Sequence, residues 1–407
     1  MKKELPRGWE WKRLGEIARV GAGNGAPQGE QYFADGKYSF VRTQDVGRKK
    51  ATNCLVNTTD KVNDLAVKKF NLKMWAPQTL LIPKSGASTF LNHRALLGSP
   101  SYVTSHLATV TAGNNLLPKY LYFWSLTIDA KQLTHDVNYP SLKLSEIENA
   151  KIPLPPLETQ RKIVTVLEKA ETTKEIRTQA DELTNQLLRS VFFEMFGDPI
   201  KNPMNFDIIK LKTVFSKNKS GTKCGPFGSA LKKHEYVDDG IPVWIMDNIQ
   251  KNKFNENGCL FITEEKYTSL LSYSVEKGDI LISRAGTVGK MCVATPSMSK
   301  SIIHSNIIRL SLNQSKIQPI FFTSLMEFCK DRIGRLKTGV DGSYTFMNTG
   351  ILNDLEIPLP PMSLQNKFAQ IVEKIEEMKQ SQKLSHQEID NLFNRIIQKA
   401  FIGELVA

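Results

Sequence analysis

A chain that writes IPLPP twice, at residues 152–156 and 357–361, each time ahead of a long polar run with helical spacing, has little freedom in its layout. Proline is excluded from helix interiors and central strands, and it pushes the residue before it to extended geometry. Each copy therefore reads as a rigid exit from a strand into a helix start. A glutamine stands four residues past the last proline in both, Gln160 and Gln365. The likeness extends outward. KIPLPPLETQRKIVTVLEKAE (Lys151–Glu171) aligns with EIPLPPMSLQNKFAQIVEKIE (Glu356–Glu376), and ELTNQLLRSVFFEMFGD aligns with EIDNLFNRIIQKAFIGE after a one-residue slip. Upstream, LPRGWEWKRLGEI faces NPMNFDIIKLKTV, with Trp9 opposite Phe206 and Leu14 opposite Leu211. YSFVRTQDV faces IPVWIMDNI, LLIPKSGAS faces ILISRAGTV, and TSHLATV faces HSNIIRL. The chain is a tandem duplication in the order globe (1–150), arm (151–198), globe (199–355), arm (356–407).

Each arm predicts one helix, the first from about Glu158 to about Phe196. In the second, Phe368, Ile371, Ile375 and Met378, then Ile389, Leu392 and Ile396, alternate in threes and fours around a polar middle at Gln382 and Ser385. The first shows Ile163, Val166 and Ala170, then Ala180, Leu183 and Leu187. That spacing is a coiled-coil seam. At 1.5 Å per residue each helix is about 55–60 Å long. So narrow a stripe needs a partner, and antiparallel pairing of the two arms is expected. The globes read as mixed α/β (α+β), with short strands such as YSFVR, TLLIP, IPVWIM and DILIS and a late helix in each. Tyr139 and Tyr344 occupy matching positions and are expected to close the cores.

The net charge of +13 is unevenly placed. The globes carry about +8 and +7, and the arms about −1 each. Globes that touch phosphates and arms that touch protein would show this distribution. No apolar run is long enough to span a bilayer. The start has no apolar signal region, so a cytoplasmic location is expected. Five scattered cysteines make no C-x-x-C pair, and six histidines show no metal spacing.

Signatures of chemistry are weak. GAGNGAPQG (Gly21–Gly29) lacks the Lys-Ser/Thr of a phosphate loop and is read as a flexible surface loop. The Asp/Asn-Pro-Pro-Tyr/Phe tetrad of amino-methyltransferases is missing; NPMNF (Asn202–Phe206) only brushes it. Glu264-Glu265-Lys266, with Asp238 and Asp239 upstream, matches part of a metal-nuclease motif, which chance supplies in most basic proteins.

Together these residues resemble the specificity (S) subunits of type I restriction–modification systems, over essentially the full length. IPLPPLETQ and IPLPPMSLQ look like the family's end-of-domain signature, LPRGWEWKRLGEI like its domain opening, and GDILISRAGTVGK (Gly278–Lys290) like its mid-domain motif. The first globe departs from that last pattern with TLLIPKSGAST (Thr79–Thr89). The resemblance implies target recognition domains in two tandem copies, separated by long α-helices forming an antiparallel coiled coil. Each domain would read one half of a split, asymmetric site in double-stranded DNA. The arms would hold the halves at a fixed distance and dock two methyltransferase (M) subunits, and restriction (R) subunits would join the full complex. S-adenosylmethionine, ATP and magnesium would belong to those partners, with no cofactor and no catalytic residue on this chain.

Base contacts are expected from polar loop residues after the matched strands: Arg42, Thr43, Gln44, Asp45, Lys84, Ser85, Ser105 and His106 in the first globe. In the second they are Asp247, Asn248, Arg284, Thr287, Lys290, His304, Ser305 and Asn306. Arg and Lys suit guanine edges, and Asn and Gln suit adenine. Two other classes remain open: a stand-alone DNA-binding or nuclease protein with a duplicated DNA-binding domain, and a basic scaffold blind to sequence.

Overall fold

The computed structural model describes residues 5–47, 54–129, 141–250, 253–284, 289–328, 337–338, 346–347 and 349–405. Thr287, Tyr139 and Tyr344 lie outside the described residues. Two compact units form, Met1–Ala180 with Gln382–Ala407, and Asp181–Ser381. Each unit thus holds one globe, a part of the first arm helix (Leu157–Phe196) and a part of the second (Met362–Phe401).

The duplication is visible strand by strand. In the first unit a sheet runs Ala18–Ala22, Leu107–Ala112, Leu80–Pro83, Ala95–Leu97, Cys54–Leu55. In the second the sheet runs Thr222–Cys224, Ile307–Leu310, Ile280–Ser283, Met291–Val293, the same order without the last strand. A second, four-stranded sheet accompanies each. In it Tyr38–Val41 pairs parallel with Ser101–Val103, and Ile241–Trp244 pairs parallel with Ile302–Ile303. The strand that opens each globe pairs antiparallel with the IPLPP strand that leaves it, Trp11 opposite Pro153 and Ile208 opposite Pro358. Both are two-stranded sheets, where a proline removes no interior ladder bond. Leu14 and Leu211, matched in the sequence, are both fully buried.

The glutamine after each IPLPP has a definite task. Gln160 is fully buried; its Oε1 accepts from the Leu117 N–H at 2.9 Å, and its Nε2 donates to the Pro155 and Asn115 carbonyls, each at 2.9 Å. Gln365 repeats this with the Gln318 N–H at 2.9 Å and the Pro360 carbonyl at 2.7 Å. One side chain thus ties the first turn of the arm to the loop before the buried helix of its globe, Pro118–Ser125 or Pro319–Phe328. Replacing it strands backbone groups that water reaches poorly, at about 1–3 kcal/mol each. Gln160→Leu is therefore expected to lower unfolding stability by about 3 kcal/mol in urea titrations. A loss under about 1 kcal/mol would reduce the clasp to an ordinary bond.

Within each unit the two arm helices run antiparallel. In the first, Lys174 bridges Asp390 at 2.7 Å, and Phe393, Ile397, Ala400 and Phe401 join Ile163, Val164 and Leu167 in one core. In the second, Leu188, Phe192 and Phe196 share a core with Phe368, Val372 and Ile375. The apolar seam keeps Ile163, Phe368 and Ile375 from the one read off the spacing and differs elsewhere. Val166, Leu183, Leu187, Met378 and Leu392 are exposed, while Val164, Leu167, Thr184, Leu188, Val372 and Phe393 are buried. The aromatic ends decide the rotation: Phe192 packs on Phe368 at 5.6 Å and Phe196 on Phe321 at 4.8 Å. Their face lies one residue, about 100° of helix, ahead of Leu183 and Leu187.

A matching joint ends each arm. Gly197 (φ 69) and Gly403 (φ 82) take left-handed conformations that cap their helices. Gly197 lies against Pro203 and Gly403 against Pro6, so close that an added Cβ would come within 2.4 Å and 2.2 Å of the two rings.

Candidate nucleic-acid interface

The reading residues proposed from sequence gather at one end of each globe's sheets. In the first, the Lys84 N–H donates to the His106 carbonyl at 3.0 Å, and Ser85 Oγ lies 2.6 Å from His106 Nδ1. Thr104 N–H bonds the Val41 carbonyl at 3.0 Å, which sets Arg42 beside Ser105. The Arg42 guanidinium pairs with Asp60 and lies 5.6 Å from the Phe33 ring centroid. Gln44 and His106 are exposed, and Thr43, Lys84, Ser85 and Ser105 are half-buried.

The second globe repeats the frame with other side chains. The Arg284 N–H donates to the Asn306 carbonyl at 2.8 Å, and the His304 N–H to the Trp244 carbonyl at 2.9 Å. Lys290 is exposed, its backbone N–H held by Ser283 Oγ at 2.9 Å. Burial holds the His304 imidazole below its usual pKa. Its Nδ1 accepts from the Asn306 N–H at 3.4 Å, which leaves Nε2 as the protonated nitrogen of the neutral ring.

Two expected contacts face inward. Asp45 is buried, and its carboxylate accepts from the Arg42 N–H at 2.8 Å and from Thr59 Oγ1 at 2.8 Å. Asn248, the matched residue, accepts from the Ile245 N–H at 2.7 Å and donates to the Asn255 and Asn257 carbonyls. Both brace the turn that carries their neighbours Gln44 and Asp247, which are exposed.

The glycine-rich stretch is less a free loop than its composition suggests. Gly21 and Ala22 belong to a strand, and Gly23 lies against the Val103 and Thr104 carbonyls, 2.0 Å and 2.4 Å from where its Cβ would stand. Gly225 meets the His304 carbonyl in the same way at 2.1 Å. Only glycine allows this approach of two chains. Sequence reasoning missed the residue beyond Gly225 and Pro226: Phe227, 51% exposed, with the Arg284 guanidinium carbon 4.5 Å from its ring centroid. The signal was an apolar ring in a Gly-Pro-Phe-Gly loop, which alignment with the first globe hides, because Gly25 stands there.

The partial nuclease motif makes no catalytic group. Lys266 Nζ bonds Glu235 Oε1 at 2.7 Å and Glu264 pairs with Lys300. Among the described residues no cluster of three or more His, Cys, Asp or Glu could hold a metal ion. No helix of the described residues is long and apolar enough to cross a membrane.

A polar, cation-bearing edge built twice on one frame, with mostly different side chains in the two copies, has the character expected of a tandem protein that recognises nucleic acid. Comparison with known proteins agrees. Residues 6–185 and 203–391 match the family model described as the type I restriction modification DNA specificity domain. The chain belongs to that family: it is the specificity subunit of a type I restriction–modification system, the non-catalytic subunit that recognises DNA. The MjaVIII specificity subunit of Methanocaldococcus jannaschii is 21% identical over 98% of this chain and 94% of its own. The MjaIX specificity subunit of the same organism is 32% identical over 157 residues, 38% of this chain and 35% of that one. A chain solved in work on complex assembly and conformational transition of the type I R-M system shares the fold, with a TM-score of 0.63, 19% identity, and coverage of 99% of this chain and 100% of that one. The S subunit from M. genitalium does so at 0.56, with 15% identity and coverage of 98% and 97%.

Proposed function

We propose that each globe reads one half of a bipartite, asymmetric site in double-stranded DNA, while the arms set the spacer and dock two methyltransferase (M) subunits. Restriction (R) subunits join the full complex, in the cytoplasm. S-adenosylmethionine, ATP and magnesium are held by these partners, and none by this chain. One observation carries the reading: the frame is duplicated, but most of the side chains at its edge are not, Ser105 and Ser305 being the shared pair. Lys84 stands where the second globe has Arg284, His106 where it has Asn306, and Thr104 where it has His304. Equal frames with unequal donors read unequal half-sites. The arms fit the second role, because they are nearly neutral yet expose Ile176, Leu183, Leu384 and Leu392.

The purified chain, given DNA, S-adenosylmethionine, ATP and magnesium, is expected to show no methyl transfer, hydrolysis or cleavage. Adding the M subunit should confer adenine methylation within a split motif whose halves differ. Turnover by the chain alone, or a methylated motif that is continuous or palindromic, would overturn the proposal.

A further inference from the structure

We propose that Phe227 and Arg284 act as one reading unit of the second globe: the guanidinium takes a guanine edge, and the ring covers the 5-methyl group of an adjacent thymine. The inference rests on the half-site reading above and adds a residue and a base step to it.

The loop that carries Phe227 is held from behind. Gly225 and Pro226 are buried, and the Gly225 N–H donates to the Ile307 carbonyl at 3.0 Å. Gly225 itself lies against the His304 carbonyl. A phenyl ring directly after two buried residues would ordinarily be buried with them, yet this one is 51% exposed. Arg284 approaches from the sheet, its backbone fixed by the Asn306 carbonyl at 2.8 Å, and its guanidinium carbon lies 4.5 Å from the ring centroid. A guanidinium laid on an aromatic face keeps its charge and gives up part of its rotamer freedom before any ligand arrives.

The chemistry selects the ligand. A fixed guanidinium matches the paired O6 and N7 acceptors of guanine in the major groove. An apolar surface beside it matches the only apolar group on that groove's floor, the thymine methyl. The exposed Asn306 and half-buried Ser305 supply further polar groups on the same edge. The first globe has Lys84 in place of Arg284 and Gly25 in place of Phe227, so it lacks both parts. The step therefore belongs to one half-site alone.

The test selects full-length chain against a randomised duplex pool and sequences what is retained, for wild type, R284A, R284K, F227A and F227L. Wild type is expected to enrich a split motif with a thymine–guanine step in one half. R284A and R284K should relax the guanine and F227A the thymine, each by roughly tenfold in preference, with the other half-site unchanged. F227L keeps an apolar cover and should retain most of the thymine preference. Modified probes give a readout independent of folding defects. Thymine-to-uracil replacement should weaken wild type and leave F227A indifferent, and 7-deazaguanine should weaken wild type and leave R284A indifferent. A motif kept at every position in R284A and F227A overturns the pair's role and leaves the half-site reading standing. A wild-type pool with no enriched motif overturns both.

Discussion

Residues 1–198, separated from the rest of the chain, will form a dimer and, once the M subunit is added, direct methylation to an inverted repeat of the first half-site. Truncation removes Phe393, Ile397, Ala400 and Phe401 from the core they share with Ile163, Val164 and Leu167. The remaining arm carries equivalents of the lost residues. Leu188, Phe192, Met195 and Phe196 lie one repeat earlier, paired by burial without the one-residue slip the sequence alignment placed in this stretch, and in their own unit they play the same part. Phe196 against Phe321 at 4.8 Å is the counterpart of Phe401 against Tyr120 at 5.1 Å. A second copy of the fragment can therefore supply the missing face. Each large side chain so buried is worth about 1.5–3 kcal/mol, and two-fold pairing counts every one twice, enough to hold the dimer at micromolar concentration. Sedimentation velocity reads the state, and Phe192→Asp in the fragment should leave it monomeric. A monomeric parent fragment would show that the arms are not interchangeable.

One extra turn in both arms will lengthen the unread spacer by about one to two base pairs and leave both half-sites unchanged. The insertion belongs in both helices because each unit is built from a part of each. Four residues after Glu175, and four at the matching place after Gln380, add roughly 6 Å per helix. A base pair rises about 3.4 Å. The helices are polar here, so an added turn disturbs no large apolar contact: Glu175, Gln380 and the exposed Ile176 lie outside the buried cores. The insertion also rotates the two ends by about 40°, four residues being more than one 3.6-residue turn, and some loss of rate should accompany the shift. Sequencing of methylated DNA reads the result. Full activity with the original spacer, or a changed half-site, would show that helix length does not set the distance.

Much of this design was legible because duplication supplies its own control. Leu14 and Leu211, the IPLPP strands and the late helices fall where the alignment sets them, since burial and proline chemistry act locally. Ile163, Phe368 and Ile375 are buried as read, but the later part of the first arm's seam was misread by one residue because Leu183 and Leu187 satisfy a heptad as well as Thr184 and Leu188 do. Only the three-dimensional weight of Phe192 and Phe196 breaks that tie. The expected contact residues fall at matching sheet ends, and which of them turn inward was not legible. Asp45 and Asn248 look like reading residues in a sequence and turn inward to brace a bend, a bond between a side chain and the N–H three residues earlier. Phe227 was passed over because an exposed apolar residue leaves no periodic trace. The glutamines gave the opposite case: their recurrence was plain, and their bonds to loops more than forty residues away were not.

The paired joints, Gly197 on Pro203 and Gly403 on Pro6, bear on the order in which the polypeptide is strung. Each arm runs into a globe through the same contact, once along the chain and once across a gap in it. By these two contacts, the end of the second arm meets the start of the first globe as the end of the first arm meets the start of the second. A short polar linker from Glu404 to Leu5, with the chain opened between the exposed Ile200 and Lys201, is expected to permute the segments while keeping both joints and the buried Pro199. On the half-site reading proposed above, segment order would be exchangeable so long as both joints are kept.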